Sequence, residues 1–127
     1  MTILCVDDDM DDLELLREAI EEIDSSVVCL SASTGQEAMN LLGNGLVLPN
    51  LIFLDINMPL MNGVTCLAKI RENKKFDNIK VVFLSTSLYA LNKEKMRSLT
   101  ADFFTKPVRY SDLVGLLRAI LSRARDE

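Results

Sequence analysis

Five residues suited to phosphoryl chemistry stand at the ends of short apolar runs in this chain of 127 residues. Asp7 and Asp8 follow the first run, and Asp55 follows the second. Ser85 ends the third run, and Lys106 lies just after the fourth. A carboxylate can attack phosphorus, while a hydroxyl and an ammonium can bind phosphoryl oxygens. The pattern therefore predicts a phosphoryl-transfer site if the fold brings these segments together.

Helix-like segments separate the apolar runs, which is typical of parallel strands buried on both faces of a sheet. The predicted strands are Thr2 to Val6, Val27 to Ser31, Leu51 to Asp55, Lys80 to Ser85 and Asp102 to Phe104. The predicted helices begin after Asp9, near Thr34, at Val64, around Asn92 and at the N-cap Ser111. Right-handed crossovers would place helices on both faces. We therefore expect an α/β fold with a doubly wound, five-stranded parallel sheet, which binds ligands at the carboxyl ends of its strands.

Carboxylate chemistry dominates the predicted site because the chain contains no histidine. This absence excludes Ser-His-Asp and Cys-His catalysis, most zinc sites and a role as a histidine phosphocarrier. Asp7, Asp8 and Asp55 would instead supply hard oxygen ligands, which suit Mg²⁺ or Ca²⁺. Because phosphoryl transfer needs neutralisation of the phosphoryl oxygens, we expect Mg²⁺ as the cofactor.

The overall composition indicates one globular domain without a nucleic-acid or membrane partner. The formal net charge is −5, whereas a nucleic-acid surface needs clustered Lys and Arg. No apolar stretch approaches the ~20 residues of a membrane span, and the chain enters its first strand directly, without a signal peptide. We therefore expect a cytoplasmic protein. Cys5, Cys29 and Cys66 have no metal-site spacing and are expected to act as small apolar residues.

Three segments resemble the receiver domain of bacterial two-component response regulators. They are Ile3 to Asp8, Leu54 to Pro59 with Asn62-Gly63 following, and Thr105 to Pro107. The resemblance covers essentially the whole chain. It implies a flavodoxin-like (βα)₅ fold with strand order 2-1-3-4-5, and a single receiver domain over residues 1–127 with no output domain. Whether this domain stands alone or belongs to a longer regulator stays open.

The resemblance also implies a role for each residue of the site. Asp55 matches the phosphoacceptor, and Asp7 and Asp8 match the acidic pair, with Asp8 preferred as the direct Mg²⁺ ligand. Asn57 matches the position whose backbone carbonyl coordinates the metal.

The switch and lysine positions of the family are matched by Ser85, Phe103 and Lys106. The family often has Tyr as its switch aromatic, so Phe103 lacks the phenol hydroxyl. Thr86 is a rival for the switch position, although the spacing from Asp55 favours Ser85. The bond between Lys106 and Pro107 matches one that is usually cis. The remaining acidic residues of the first segment are interpreted as helix-start residues; they are Asp9, Asp11 and Asp12.

The expected function is signalling rather than enzymatic turnover. A histidine kinase or histidine phosphotransfer protein would phosphorylate Asp55, with at most self-phosphorylation and self-dephosphorylation by the chain. The surface formed by the fourth helix, fifth strand and fifth helix would then contact a downstream protein. Two alternatives remain: an aspartyl phosphatase, although Asp55-Ile56-Asn57 lacks the second carboxylate of an Asp-x-Asp motif, and a pseudo-receiver scaffold that acts without phosphorylation.

Overall fold

Strands and helices alternate along the chain in a computed structural model that describes residues 1–45, 48–87 and 93–125. The strands are β1 (Thr2–Val6), β2 (Val28–Ala32), β3 (Leu51–Leu54), β4 (Lys80–Ser85) and β5 (Ala101–Thr105). The helices are α1 (Met10–Ile23), α2 (Gly35–Gly43), α3 (Gly63–Glu72), α4 (Lys93–Ser98) and α5 (Tyr110–Arg125). The strands are parallel and lie in the order β2-β1-β3-β4-β5, which confirms the predicted doubly wound, flavodoxin-like topology.

The sheet separates two apolar cores because neighbouring residues of a strand point to opposite faces. In β1, Leu4 and Val6 face the core shared with α2, α3 and α4, whereas Ile3 and Cys5 face the core shared with α1 and α5. All four side chains are at most 2% exposed. The central strands are therefore packed on both faces, and their carboxyl ends lie at one edge of the sheet. None of the described helices is long and apolar enough to cross a membrane.

Polar side chains cap the helices that lead away from this edge. Asp9 accepts hydrogen bonds from the amides of Asp11 and Asp12 at the start of α1. Thr34 and Asn62 likewise cap α2 and α3. Such caps satisfy amide groups that have no partner within the helix. The predicted start at Asp9 is therefore confirmed, as is the start near Thr34.

Several predicted boundaries differ from the observed ones. The prediction of Ser111 as an N-cap is wrong: the carbonyl of Arg109 already accepts the Leu113 amide at 3.0 Å, so α5 begins at Tyr110. The second strand lies one residue later than predicted because Val28 pairs with Thr2. The fourth helix was predicted to begin at Asn92, which lies outside the described residues.

Candidate functional site

The sheet order places the predicted site residues at one edge. Asp7 and Asp8 follow β1, and Asp55 follows the adjacent strand β3. Ser85 ends β4, and Lys106 follows β5. The backbone fixes this alignment, since the amide of Asp55 donates to the Val6 carbonyl at 2.9 Å and the amide of Lys106 donates to the Ser85 carbonyl at 2.9 Å. Four separate segments of the chain therefore end at one place.

The three carboxylates form a compact acidic cluster. Asp7, Asp8 and Asp55 each contribute an oxygen within 4.8 Å of the others. Asp7 is 2% exposed and Asp55 is 9% exposed, while Asp8 is open to solvent. Burial raises the pKa of Asp7, against the opposing pull of Lys106. A divalent cation would relieve the repulsion between these carboxylates, and the exposed side at Asp8 suits an ion that keeps several waters. The donor set therefore fits a hard divalent cation.

Asp55 is held by its own backbone and by the start of α3. Its Oδ1 accepts the Ile56 amide at 2.9 Å, and the described residues give Oδ2 no hydrogen bond. The Gly63 amide donates to the Ile56 carbonyl at 2.8 Å, which draws the first turn of α3 against this segment. The Oδ1 atom of Asp55 is thus fixed by a backbone amide at the carboxyl end of β3.

Lys106 bridges two carboxylates. Its Nζ donates to Asp7 Oδ2 at 2.7 Å and to Asp12 Oδ2 at 2.9 Å. Burial alone would lower the pKa of Lys106, but the hydrogen bonds to Asp7 and Asp12 outweigh it and raise the pKa. The ammonium therefore stays charged beside the acidic cluster, where a phosphoryl group would need a cation.

Asp12 is the site residue that the sequence analysis missed. It does lie in the first turn of α1, as predicted, but its side chain also contacts Lys106. The available signal was topological: α1 and α5 pack on the same face, so the first turn of α1 faces the loop that leads into α5. The position of Asp12 at the start of α1 already explained its negative charge. Its second role, the contact with Lys106, was therefore not predicted.

Ser85 is fully buried, and its hydroxyl has no hydrogen-bond partner among the described residues. An unpaired buried hydroxyl is costly, so such a group often marks a functional position. Phe103 lies opposite Phe83 in the β4–β5 ladder and packs partly buried against the core. The rival Thr86 is exposed. Ser85 therefore has a buried hydroxyl that could donate a hydrogen bond to a phosphoryl oxygen.

The loop after Asp55 carries Asn57, whose carbonyl was predicted to coordinate the metal. Asn57 is exposed and lies between the buried side chains of Ile56 and Met58. This location keeps it next to the acidic cluster, and its ligand role stays a prediction. The predicted cis bond between Lys106 and Pro107 is wrong, because this peptide is trans. The trans form is the preferred one even before proline.

Comparisons with known proteins place the chain in a family. The sequence model of the response regulator receiver domain matches residues 3–118. The chain therefore belongs to the response regulator receiver domain family, whose members are signalling modules of two-component systems rather than enzymes. The predicted resemblance is confirmed.

Individual relatives agree with this assignment. The chain is 31% identical to protein PilG of Pseudomonas aeruginosa over 113 residues, covering 87% of this chain and 82% of PilG. It is 27% identical to the sensor histidine kinase CheAY of Helicobacter pylori over 126 residues, covering 98% of this chain but only 15% of CheAY. The chain thus spans most of one relative and a small part of the other.

Solved structures with the same fold include two response regulators. The phosphorylated cyanobacterial phytochrome response regulator RcpA superposes with a TM-score of 0.81 at 29% identity, covering 94% of this chain and 89% of RcpA. The Mn²⁺-bound response regulator Rcp1 has the same TM-score and identity, covering 95% of this chain and 91% of Rcp1. One relative of this fold is therefore phosphorylated, and another holds a divalent cation.

Proposed function

We propose that this chain receives a phosphoryl group on Asp55 from a phosphohistidine of a kinase or phosphotransfer protein. The observation that supports this most is the meeting of three carboxylates within 4.8 Å, beside a lysine and a buried hydroxyl that has no partner among the described residues. An oxygen of Asp55 would attack phosphorus as the phosphorus–nitrogen bond of the donor breaks, giving an aspartyl phosphate. Because these 127 residues contain no histidine, the phosphohistidine donor must lie outside them.

Mg²⁺ is the cation that we propose for this transfer, and it would neutralise phosphoryl oxygens when bound. Asp8 and Asp55 would be direct ligands, together with the backbone carbonyl of Asn57. Asp7 would help to hold the ion while it also fixes Lys106. The exposure of Asp8 and Asn57 supports this arrangement, because bound waters need access to the ion.

Lys106 and Ser85 would bind the new phosphoryl oxygens. The Lys106 ammonium, which donates to Asp7 and Asp12 in this structure, would turn to donate to a phosphoryl oxygen. The Ser85 hydroxyl would satisfy its missing hydrogen bond by moving toward the phosphoryl group. Phosphoryl transfer depends mainly on such positioning and charge neutralisation.

The output of this reaction is proposed to be a change in the surface of α4, β5 and α5. Displacement of Ser85 would open space that the Phe103 ring can fill, since both residues lie on the paired strands β4 and β5. This is a local packing change that biases a two-state surface. The partner at this surface would be a downstream protein.

Incubation with acetyl phosphate, with and without Mg²⁺, tests the proposal. We expect one phosphoryl group per chain only when Mg²⁺ is present, and no label on an Asp55→Asn variant. Absence of label on the wild-type protein under all conditions would support a scaffold instead. Continuous release of phosphate from small phosphomonoesters, in large excess over protein, would support a phosphatase. Labelling by a purified histidine kinase would then identify the donor.

A further inference from the structure

The contact between Asp12 and Lys106 indicates a role for a residue beyond those already assigned to the site. Asp12 belongs to α1 and Lys106 follows β5, so their side chains meet although 94 positions separate them. Lys106 is 9% exposed, and both of its partners are negatively charged. A buried ammonium with two carboxylates carries a local net charge of −1, which opposes the approach of a phosphoryl anion.

The two carboxylates differ in how readily they can release the lysine. The side chain of Asp7 is 3% exposed, so it would lose a partner without gaining water. The side chain of Asp12 is 29% exposed, so water can replace the lysine. Removing a partner from a buried charge is costly, whereas a partly exposed ion pair contributes little. Asp12 is therefore the partner that can lose its hydrogen bond to Lys106 at the lower cost in free energy.

We propose that Asp12 is a positioning residue that holds Lys106 in the unphosphorylated state and releases it to the phosphoryl group. This inference rests on the proposed phosphorylation of Asp55. Asp12 competes with the phosphoryl oxygens for the same ammonium and thereby weakens binding at the acceptor site. It sets how readily the site is occupied without contacting the reacting atoms.

Asp11 offers a matched control for this proposal. It lies beside Asp12 in the first turn of α1 and is exposed, and its described hydrogen bond is that of its backbone amide to Asp9. Asp11→Asn and Asp12→Asn remove the same charge from the same helix terminus. Any difference between these variants therefore reports the contact with Lys106 rather than the net charge or the helix dipole. Asp12→Glu keeps the charge and provides the conservative rescue.

The first measurement is the affinity for fluoroberyllate in the presence of Mg²⁺, followed by NMR. We expect Asp12→Asn to bind about two- to five-fold more tightly than Asp11→Asn, the range that one partly exposed ion pair provides. Asp12→Glu should stay close to the wild type. Equal affinities of the two Asn variants, or weaker binding by Asp12→Asn, would overturn the proposal. Failure of the wild type to bind fluoroberyllate would instead count against the proposed function.

The second measurement needs no phosphoryl analogue. Hydrogen exchange of the Lys106 ammonium can be followed by NMR in protein labelled with ¹⁵N at the lysine side chains. We expect faster exchange in Asp12→Asn than in Asp11→Asn, because the neutral amide oxygen of Asn is a weaker acceptor for the ammonium than the Asp12 carboxylate. Identical exchange in both variants would show that Asp12 does not hold Lys106 and would overturn the proposal independently of phosphorylation.

Discussion

Gly63 lies directly against the backbone of Asp55. A Cβ atom at position 63 would overlap the Asp55 carbonyl oxygen, far inside the 3.0 Å that real Cβ atoms keep. The Gly63 amide also donates to the Ile56 carbonyl at 2.8 Å. The lack of a side chain at this position therefore lets α3 approach the segment that carries the proposed phosphoacceptor.

A Gly63→Ala substitution should destabilise the protein and displace Asp55. We expect a loss of about 1–3 kcal/mol in the free energy of unfolding, as for overpacked cores. The new Cβ atom would meet the backbone of Asp55, which cannot rotate away as a side chain could. Chemical denaturation measures this loss. Gly115→Ala is the matched control: a Cβ there meets nothing within 4 Å, and alanine inside a helix should add about 0.5–1 kcal/mol. Equal effects of the two substitutions would contradict the close approach.

Ser85→Ala should have opposite effects on stability and switching. Removal of this buried hydroxyl, which has no partner in the described part of the chain, should raise the free energy of unfolding by roughly 1 kcal/mol, because burying it unpaired is unfavourable. The same variant should lose the fluoroberyllate-induced NMR shifts at Phe103. Thr86→Ala serves as the control and should change neither property, since Thr86 is exposed. If Thr86→Ala lost the NMR shifts at Phe103 while Ser85→Ala kept them, the switch residue would be Thr86 and not Ser85.

The fold was predictable because its signals are local and repeated. Each of the strands β1, β3 and β4 contains four consecutive apolar residues, and the observed limits of β1 and β4 agree with the prediction. The helix start after Asp9 was predictable because a carboxylate caps amides within its own turn. The start of α5 was missed because Ser111 has cap chemistry, while the observed helix already begins at Tyr110, two residues before the start that a cap at Ser111 implies.

The site residues that follow strands could be predicted from the sequence, whereas the one on a helix, Asp12 of α1, could not. The parallel order brings the ends of β1 and β3 together, so the clustering of Asp7 with Asp55 follows from topology. The partner of Lys106 on α1 depends on how far one lysine side chain reaches across the sheet edge. Neither periodicity nor spacing encodes that distance, so Asp12 was assigned only to the helix start.

Mg²⁺ should raise the thermal stability of the wild-type protein. Binding to the folded state alone stabilises it by about 1.4 kcal/mol when Mg²⁺ is tenfold above its Kd. An Asp8→Ala variant should lose most of the Mg²⁺-induced increase in Tm, because Asp8 is the proposed direct ligand. Asp11→Ala should retain it. A full Mg²⁺-induced shift in Asp8→Ala would remove Asp8 from the ligand set.

The three cysteines should differ in reactivity toward a thiol reagent. Burial raises the pKa of Cys66 to about 11, and it raises the pKa of Cys5 as well. Burial also raises the pKa of Cys29, which is only partly buried. At pH 8 we expect Cys29 to react first and the other two only on unfolding, because the thiolate is the reactive form. Mass-spectrometric mapping of the labelled peptides checks the order.

The same thiols predict a decrease in stability at alkaline pH. An unfolded cysteine ionises near its ordinary pKa of about 8.5, whereas Cys5 and Cys66 stay protonated in the fold. The unfolded state therefore binds fewer protons than the folded one above this pH, so that the free energy of unfolding falls as the pH rises. Denaturation between pH 7 and pH 10 measures the slope. A Cys66→Ala variant should show a shallower slope than the wild type, and an unchanged slope would contradict the assignment.

Direct location of the phosphoryl group tests the central proposal. After incubation with acetyl phosphate and Mg²⁺, the protein can be digested and the modified residue identified by mass spectrometry. We predict that the label lies on Asp55 alone, because it combines a reactive oxygen with neighbouring cation ligands and Lys106. A label on another residue, or labelling of Asp55→Asn at the wild-type rate, would contradict the account.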